Sequence, residues 1–402
     1  MSHLRIAMVV ALVLIAGCSR VGADLNGPVT LPSGDSSSHG SAHGTITPGP
    51  TKPRITAPTS PGPTCEALAA SMPLAERIGE LFMIAVSSGA TPAQAAQVVR
   101  TNRTGSVLLV GTSDAGVAKT AAITAAIRGA APGTIVATDQ EGGKVQRLRG
   151  PGFDRMPTAM AQSQMLVESL GSSAANWGSE LAAAGVLYNL APVADVVPDD
   201  KVETNAPIGA TGRGYGSDPA GVASSVTAFV AGMHAGGVEV SLKHFPGLGE
   251  VTDNTDNTPA TDTVTTRATS SATFRAGIAA GAGSVMVSSA IYTQIDPGVQ
   301  GVFSSVIITG MLRDDLGFPG VVISDDLGLA KAVAALAPGD RAVRFLVAGG
   351  DLVINSAPSV QAAMTAAVTQ RAKTQPAFAT RVTQSAARVL RLKASVGAAH
   401  CQ

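Results

Sequence analysis

The sequence predicts a (β/α)8 barrel over residues 65–402, built as one catalytic-sized domain, and three observations carry the prediction. Eight short apolar runs recur along the chain, with Ala-rich stretches of helical spacing between them. The runs are almost continuously apolar rather than alternating, as parallel strands covered on both faces are. Polar side chains then gather just after the runs, where a barrel of this kind carries its chemistry. An open doubly wound sheet is the alternative. Its glycine fingerprint after the first strand is missing, and Gly142-Gly143 after the third run does not supply that spacing.

In chain order, Arg5 precedes the apolar run Ile6–Ile15, which is too short to span a membrane as a finished helix and ends in Ala16-Gly17-Cys18. The order Leu14-Ile15-Ala16-Gly17-Cys18 resembles a bacterial lipoprotein lipobox. That resemblance implies a signal segment over residues 1–18, a lipid on Cys18, and an exported protein anchored to the outer face of the cell membrane. Residues 19–64 are rich in Ser, Thr, Gly and Pro and nearly empty of large apolar side chains, so they read as a disordered tether. His39 and His43 are scattered within it and make a weak metal signal. With Cys18 lipidated, Cys65 and Cys401 remain at the two ends of the body, and an even pair in an oxidising compartment invites a disulfide.

Lys plus Arg and Asp plus Glu both number 28, and aromatics are few, which argues against a nucleic-acid partner. No Cys/His cluster has ligand spacing, so neither a metal nor an organic cofactor is expected. The body is expected to be a monomer.

Within the body the apolar runs are Leu81–Val86, Val107–Val110, Thr134–Thr138, Val186–Val193, Val238–Leu242, Ser284–Ser288, Val321–Ser324 and Leu352–Ile354. Helical spacing marks Ala115–Ile127, Ala174–Ala184, Pro219–His234, Thr273–Ala280, Ser304–Leu316, Arg341–Ala348 and Ala362–Leu392. Ser217-Asp218-Pro219 and Ser304 offer helix caps. Six consecutive run ends carry polar groups: Asp139-Gln140-Glu141, Asp195, Lys243-His244, Ser288-Ser289, Asp325-Asp326 and Asn355. Taken singly each is explained by a cap or a turn; together they point to one shared site.

The stretch Ser241–Pro259 is the most informative, because an apolar run, a Lys243-His244 pair, a Pro246-Gly247 turn and an acidic loop with Glu250, Asp253 and Asp256 follow one another. Such an order suits a strand end that holds a polar substrate beside a loop that delivers a proton, although a solvated loop with a chance Lys-His pair has the same composition.

Five ordered motifs make the family recognisable: TDQEGGKVQRLR (Thr138–Arg149), NLAPVADV (Asn189–Val196), RGYGSDP (Arg213–Pro219), KHFPG (Lys243–Gly247) and SDDLGL (Ser324–Leu329). The chain over roughly Glu66–Val396 resembles glycoside hydrolase family 3, most nearly its single-barrel β-N-acetylglucosaminidase branch. The resemblance implies a retaining mechanism with Asp325 as nucleophile, and Asp139, Arg147, Arg213, Lys243 and His244 as sugar ligands. Asp326 and Glu141 read either as supporting or as structural carboxylates. Tyr215, Phe245 and Tyr292 are the candidate stacking platforms, whereas Trp177 reads as core.

One departure matters. The loop after KHFPG in this branch carries an Asp-His pair as general acid/base, and Asn254 and Asp256 stand at those two offsets. Asp256 is the preferred replacement proton donor, swung in on Gly247 and Gly249, with Glu250 and Asp253 behind it. The function implied is an exo-glycosidase that removes terminal β-linked N-acetylglucosamine, with peptidoglycan fragments as the expected substrate. A phosphorylase that uses phosphate in place of water, a different β-glycosidase specificity, and a sugar-binding lipoprotein that has lost catalysis are the alternatives.

Overall fold

A computed structural model of the chain describes residues 63–402; the expected signal segment, Cys18 and nearly all of the expected tether lie outside the described residues. Eight parallel strands close into a barrel: β1 (Phe82–Ser87), β2 (Ser106–Val110), β3 (Ile135–Thr138), β4 (Tyr188–Asn189), β5 (Glu239–Phe245), β6 (Ser284–Val287), β7 (Val321–Asp326) and β8 (Leu352–Asn355). They neighbour one another in chain order, and β1 pairs with β8 to close the ring.

Strand period explains why the runs are apolar throughout. Leu108, Val321, Ile323, Leu352 and Ile354 point into the barrel, where they pack with Met83, Ile135, Leu190 and Met286. Their sequence neighbours Val107, Leu109, Val322 and Val353 point outward into the larger core beneath the helices.

The elements follow the expected pattern with several differences. The connection between β1 and β2 holds a helix, Pro92–Asn102, closed at its start by a capping box in which Thr91 and Gln94 bond reciprocally. The expected stretch Ala362–Leu392 is two helices, Gln361–Thr374 and Pro376–Ser395, because Pro376 forces Gln375 into an extended conformation. The fourth strand is far shorter than its apolar run, since Pro192 lacks the N–H that a ladder needs, and only an isolated bridge from Val193 to Lys243 follows. Asp218 caps Pro219–Ala235 as expected, and Ser304 Oγ accepts from the Ile307 N–H at the start of the π-helical segment Val306–Asp315.

The two ends of the barrel body meet. Cys65 and Cys401 form a disulfide with Cα atoms 4.9 Å apart, and the Cys65 N–H donates to the Gln402 carbonyl at 3.0 Å.

Candidate active site

A cavity of about 370 Å³ opens at the carboxyl ends of the strands, and the inward apolar side chains Leu108, Leu190, Met286 and Ile354 form its floor. Its walls bring together Asp139, Arg147, Arg213, Lys243, His244, Asp256 and Asp325, which stand as far as 186 positions apart in sequence (325 minus 139). Asn254, Thr255 and Asp326 also line it.

Two strands break register where they enter this site. The pairing of β5 with β6 shifts between Leu242 and Phe245, and that of β7 with β8 shifts between Ile323 and Asp326. A regular strand sends successive side chains to opposite faces; across these breaks Lys243 and His244, and likewise Asp325 and Asp326, reach the same cavity.

Glu141 is the centre of a buried charge cluster. Arg213 Nε and Nη2 donate to its two carboxylate oxygens at 2.8 Å each, and Lys243 Nζ lies 2.6 Å from Oε1. Lys243 Nζ also donates to Asp139 Oδ1 at 2.7 Å, and Arg213 Nη1 donates to the Pro207 carbonyl at 2.8 Å. Burial alone would raise the Glu141 pKa, but the charges of Arg213 and Lys243 outweigh it and hold the carboxyl well below the usual range. Burial of Lys243 likewise favours the neutral amine and is overcome by Asp139 and Glu141, so the ammonium is stabilised. Arg147 lines the same cavity and forms no ion pair among the described residues.

Asp195 is fully buried and acts through His244. One oxygen accepts the backbone N–H groups of His244 at 3.1 Å and Leu248 at 2.9 Å, while the other lies 2.8 Å from His244 Nδ1. The imidazole is thereby oriented by its Nδ1 edge. Asp326 accepts the N–H groups of Gly328, Leu329 and Ser356 at 2.8, 3.0 and 2.9 Å, so its role is to shape the loops around Asp325. Asp325 Oδ1 takes the Asp326 N–H at 2.8 Å. Burial, and next the charge of Asp256, push the Asp325 carboxyl up to about 6, with His244 pulling it down.

The proton-delivery loop differs from expectation in how it is held. Gly249 is no hinge: a Cβ there would lie 1.6 Å from the Val196 carbonyl oxygen, so the residue is dictated by close packing. Asn205, fully buried and without a sequence signal, clamps the loop by donating to the carbonyls of Leu248 at 2.7 Å and Val251 at 2.7 Å. Tyr292 Oη donates to the Gly247 carbonyl at 2.9 Å. Beyond the clamp, the carbonyls of Thr255 and Asp256 accept from Ala332 and Lys331 at 3.1 Å each, and Asp256 lines the cavity. Glu250 is turned away into an ion pair with Lys201 and lines a different cavity, and Asp253 is exposed and outside the site.

Other expected contributors also lie elsewhere. Tyr215, Phe245 and Tyr292 are buried core side chains, with Phe245 packed edge-on against Phe274, so none offers a stacking platform. Trp177 is core, packed against Phe229. Ser288 and Asn355 serve their own loops, accepting from the Ala290 and Ala357 N–H groups at 3.0 and 2.9 Å, and Ser289 is buried outside the cavity.

Comparison with known proteins follows the same outline. Residues 73–392 match the glycosyl hydrolase family 3 N-terminal domain. A β-hexosaminidase of Xanthomonas campestris pv. campestris is 34% identical over 302 residues, which cover 72% of this chain and 88% of that protein. The crystal structure of a β-N-acetylhexosaminidase from Beutenbergia cavernae superposes with a TM-score of 0.78 at 46% identity, over 81% of this chain and 99% of that one. A family 3 β-N-acetylglucosaminidase from Paenibacillus is 27% identical with a TM-score of 0.73, over 82% of this chain and 63% of that one. With the family's domain matched across nearly the whole barrel that carries the cavity, the chain belongs to glycosyl hydrolase family 3 and is a glycoside hydrolase.

Proposed function

We propose that this hydrolase is a retaining exo-β-N-acetylhexosaminidase that releases terminal β-linked N-acetylglucosamine from peptidoglycan fragments. The observation that carries the proposal is that Asp325 and Asp256 share one cavity, near enough that the charge on Asp256 raises the Asp325 pKa. In the first step the Asp325 carboxylate attacks the anomeric carbon, the bond to the leaving sugar breaks, and Asp256 gives its proton to the departing oxygen. In the second, Asp256 takes a proton from water, whose oxygen attacks the same carbon and frees Asp325. Two inversions retain the β configuration, and one water is consumed per bond cleaved.

The charge cluster supplies the sugar clamp. Asp139 accepts from sugar hydroxyls, while Lys243, Arg147 and the cavity-facing edge of His244 meet the ring oxygens; Arg213 acts through Glu141. The closed apolar floor suits a terminal sugar that enters end-on. An anionic Asp256 as the base favours water over phosphate as the acceptor. The names of the β-hexosaminidase relatives support the choice of amino sugar. The lipobox at Cys18 supports a position at the outer face of the membrane, close to cell-wall material.

The testing experiment is a trap. A fluorinated N-acetylglucosaminide whose intermediate turns over slowly is expected to add its mass to the peptide containing Asp325, and Asp325→Asn is expected to abolish turnover with the fold intact. Label on any other carboxylate refutes the assignment. For the anchor, Cys18→Ala is expected to release the protein from membranes or block its maturation; unchanged membrane retention overturns that part.

A further inference from the structure

The loop that leaves β7, residues 327–336, runs from the nucleophile to the helix Pro338–Ala348, and one side chain of that helix gathers its carbonyls. Arg341 is buried, 8% exposed, and donates from Nε to the Leu336 carbonyl at 2.8 Å. Its Nη1 donates to the carbonyls of Leu327 at 2.9 Å and Gly328 at 3.1 Å, and its Nη2 to that of Ala334 at 3.3 Å. Among the described residues it forms no ion pair. Burial lowers the Arg341 pKa, and the charge of Asp326 opposes that shift. A planar fork of N–H donors can serve all of these carbonyls at once, whereas an ammonium on a flexible stem cannot.

The same loop carries the backbone of the proton donor. Lys331 and Ala332, in the short helical turn Lys331–Val333, donate their N–H groups to the carbonyls of Asp256 and Thr255 at 3.1 Å each. The other backbone hydrogen bonds of residues 253–258, from the Asn257 and Thr258 N–H groups to the Asn254 carbonyl, stay within the segment's own turn. Asp256 is exposed, and the Asn205 clamp reaches only as far as Val251, so where Asp256 stands depends on where Lys331 and Ala332 stand. Asp325 is held differently. It lies within β7, and Asp326 beside it fixes the start of the loop by accepting from Gly328, Leu329 and Ser356. Gly328 is packed tightly there, since a Cβ would lie 2.3 Å from Asn355 Oδ1. Farther along, the side-chain anchors are Arg341 and the Gln300 amide, which donates to the Ala332 carbonyl.

We propose that Arg341 is a positioning residue for the hydrolytic reaction: by gathering the loop after β7 it sets the backbone on which Asp256 rests, and so fixes the proton donor against the nucleophile. This rests on the roles proposed above for Asp256 and Asp325. Without Arg341 the nucleophile keeps its strand, and the sugar ligands Asp139, Lys243 and Arg147 stand on other elements, so the harm falls on proton delivery rather than on binding. A positioned general acid is worth about 10²–10⁴-fold, and with Gln300 still holding Ala332 the expected loss is a part of that, on the order of tenfold.

The test compares chitobiose, whose leaving sugar needs a proton, with an aryl β-N-acetylglucosaminide whose activated leaving group does not. Arg341→Met and the conservative Arg341→Lys are measured against the parent, with active sites counted by the fluorinated trap so that unfolded protein does not contribute. In Arg341→Met, kcat on chitobiose should fall on the order of tenfold further than kcat on the aryl substrate, with KM little changed, and Arg341→Lys should lie between. In an Asp256→Ala background the same substitution should leave the ratio of the two substrates unmoved, because the group it positions is gone. Amide hydrogen exchange at Lys331 and Ala332 should quicken in both variants. Equal losses on the two substrates, or unaltered kinetics on both, overturn the positioning role, and Arg341→Lys alone decides this should Arg341→Met not fold. If instead Asp256→Ala by itself leaves the substrate ratio at the parent value, the acid/base assignment is what fails. Exchange then decides the inference: unchanged protection at Lys331 and Ala332 refutes Arg341 as the anchor of this loop, and faster exchange confined to residues 253–258 and 327–336 supports it.

Discussion

Replacing Glu141 by Gln removes the carboxylate that both clamp cations share. Asp139 and Glu141 balance Lys243 and Arg213, so the variant leaves one uncompensated positive charge in a buried cluster. Removing one partner of a buried, hydrogen-bonded ion pair costs about 3–5 kcal/mol. The amide keeps one acceptor oxygen for Arg213, which puts the expected loss near the lower end, about 3 kcal/mol, or roughly a hundredfold in the folding equilibrium. Urea denaturation is the assay, read as a lower midpoint with unchanged slope. The pH dependence checks the cause. Burial works to raise the Glu141 pKa, but Arg213 and Lys243 drive it below its ordinary 4.5, so its stabilisation is complete above that pH and is lost as pH falls further. The stability gap between parent and variant should therefore be flat from neutral pH down to about 5 and close on further acidification. The variant should also lose about tenfold or more in kcat/KM, chiefly through KM, because Lys243 and Arg213 are no longer held in place. Equal midpoints at neutral pH, or a gap that widens in acid, refute Glu141 as the charge that organises the clamp.

Asp256→Ala should lose activity on natural disaccharides yet still form the intermediate from substrates with activated aryl leaving groups, and azide should rescue the second step; chitobiose cleaved at the parent rate refutes the role. Because Asp325 must be ionised to attack and its carboxyl is pushed up to about 6 by burial and then by Asp256, kcat/KM should fall as pH drops through about 6. With an activated aryl substrate, Asp256→Asn should move this acid limb to lower pH, and an unmoved limb refutes the coupling. The same raised pKa means that ionising Asp325 costs stability as pH rises from 3.8 through about 6, so Asp325→Asn should relieve that loss; an unchanged stability profile across this window refutes it. The Cys65–Cys401 bridge closes a loop of sequence separation 336, and Cys401→Ser should lower stability by at most about 6 kcal/mol in the chain-entropy estimate. A parent midpoint indifferent to reductant rules that out.

The sequence by itself determined the barrel. Each strand announces itself by a local apolar run, and burial on both faces leaves no other pattern for those residues. Asp139, Lys243, His244 and Asp325 were legible as well, because a barrel obliges strand-end groups to converge, whereas Arg147, Arg213 and Asp256 were legible only through the family resemblance. Only the tertiary structure decided which strand-end groups enter the cavity. Register breaks in β5 and β7 turn paired residues inward, whereas Ser288 and Asn355, at equally polar strand ends, bond their own loops. It also took Glu250 out of contention through Lys201, made Glu141 the hub of the clamp, and fixed the loop through Asn205. The physical reason is range. Strand period is written in neighbouring residues, but Lys201 meets Glu250 across 49 positions and Lys243 meets Asp139 across 104, partners that exist only once the barrel has closed.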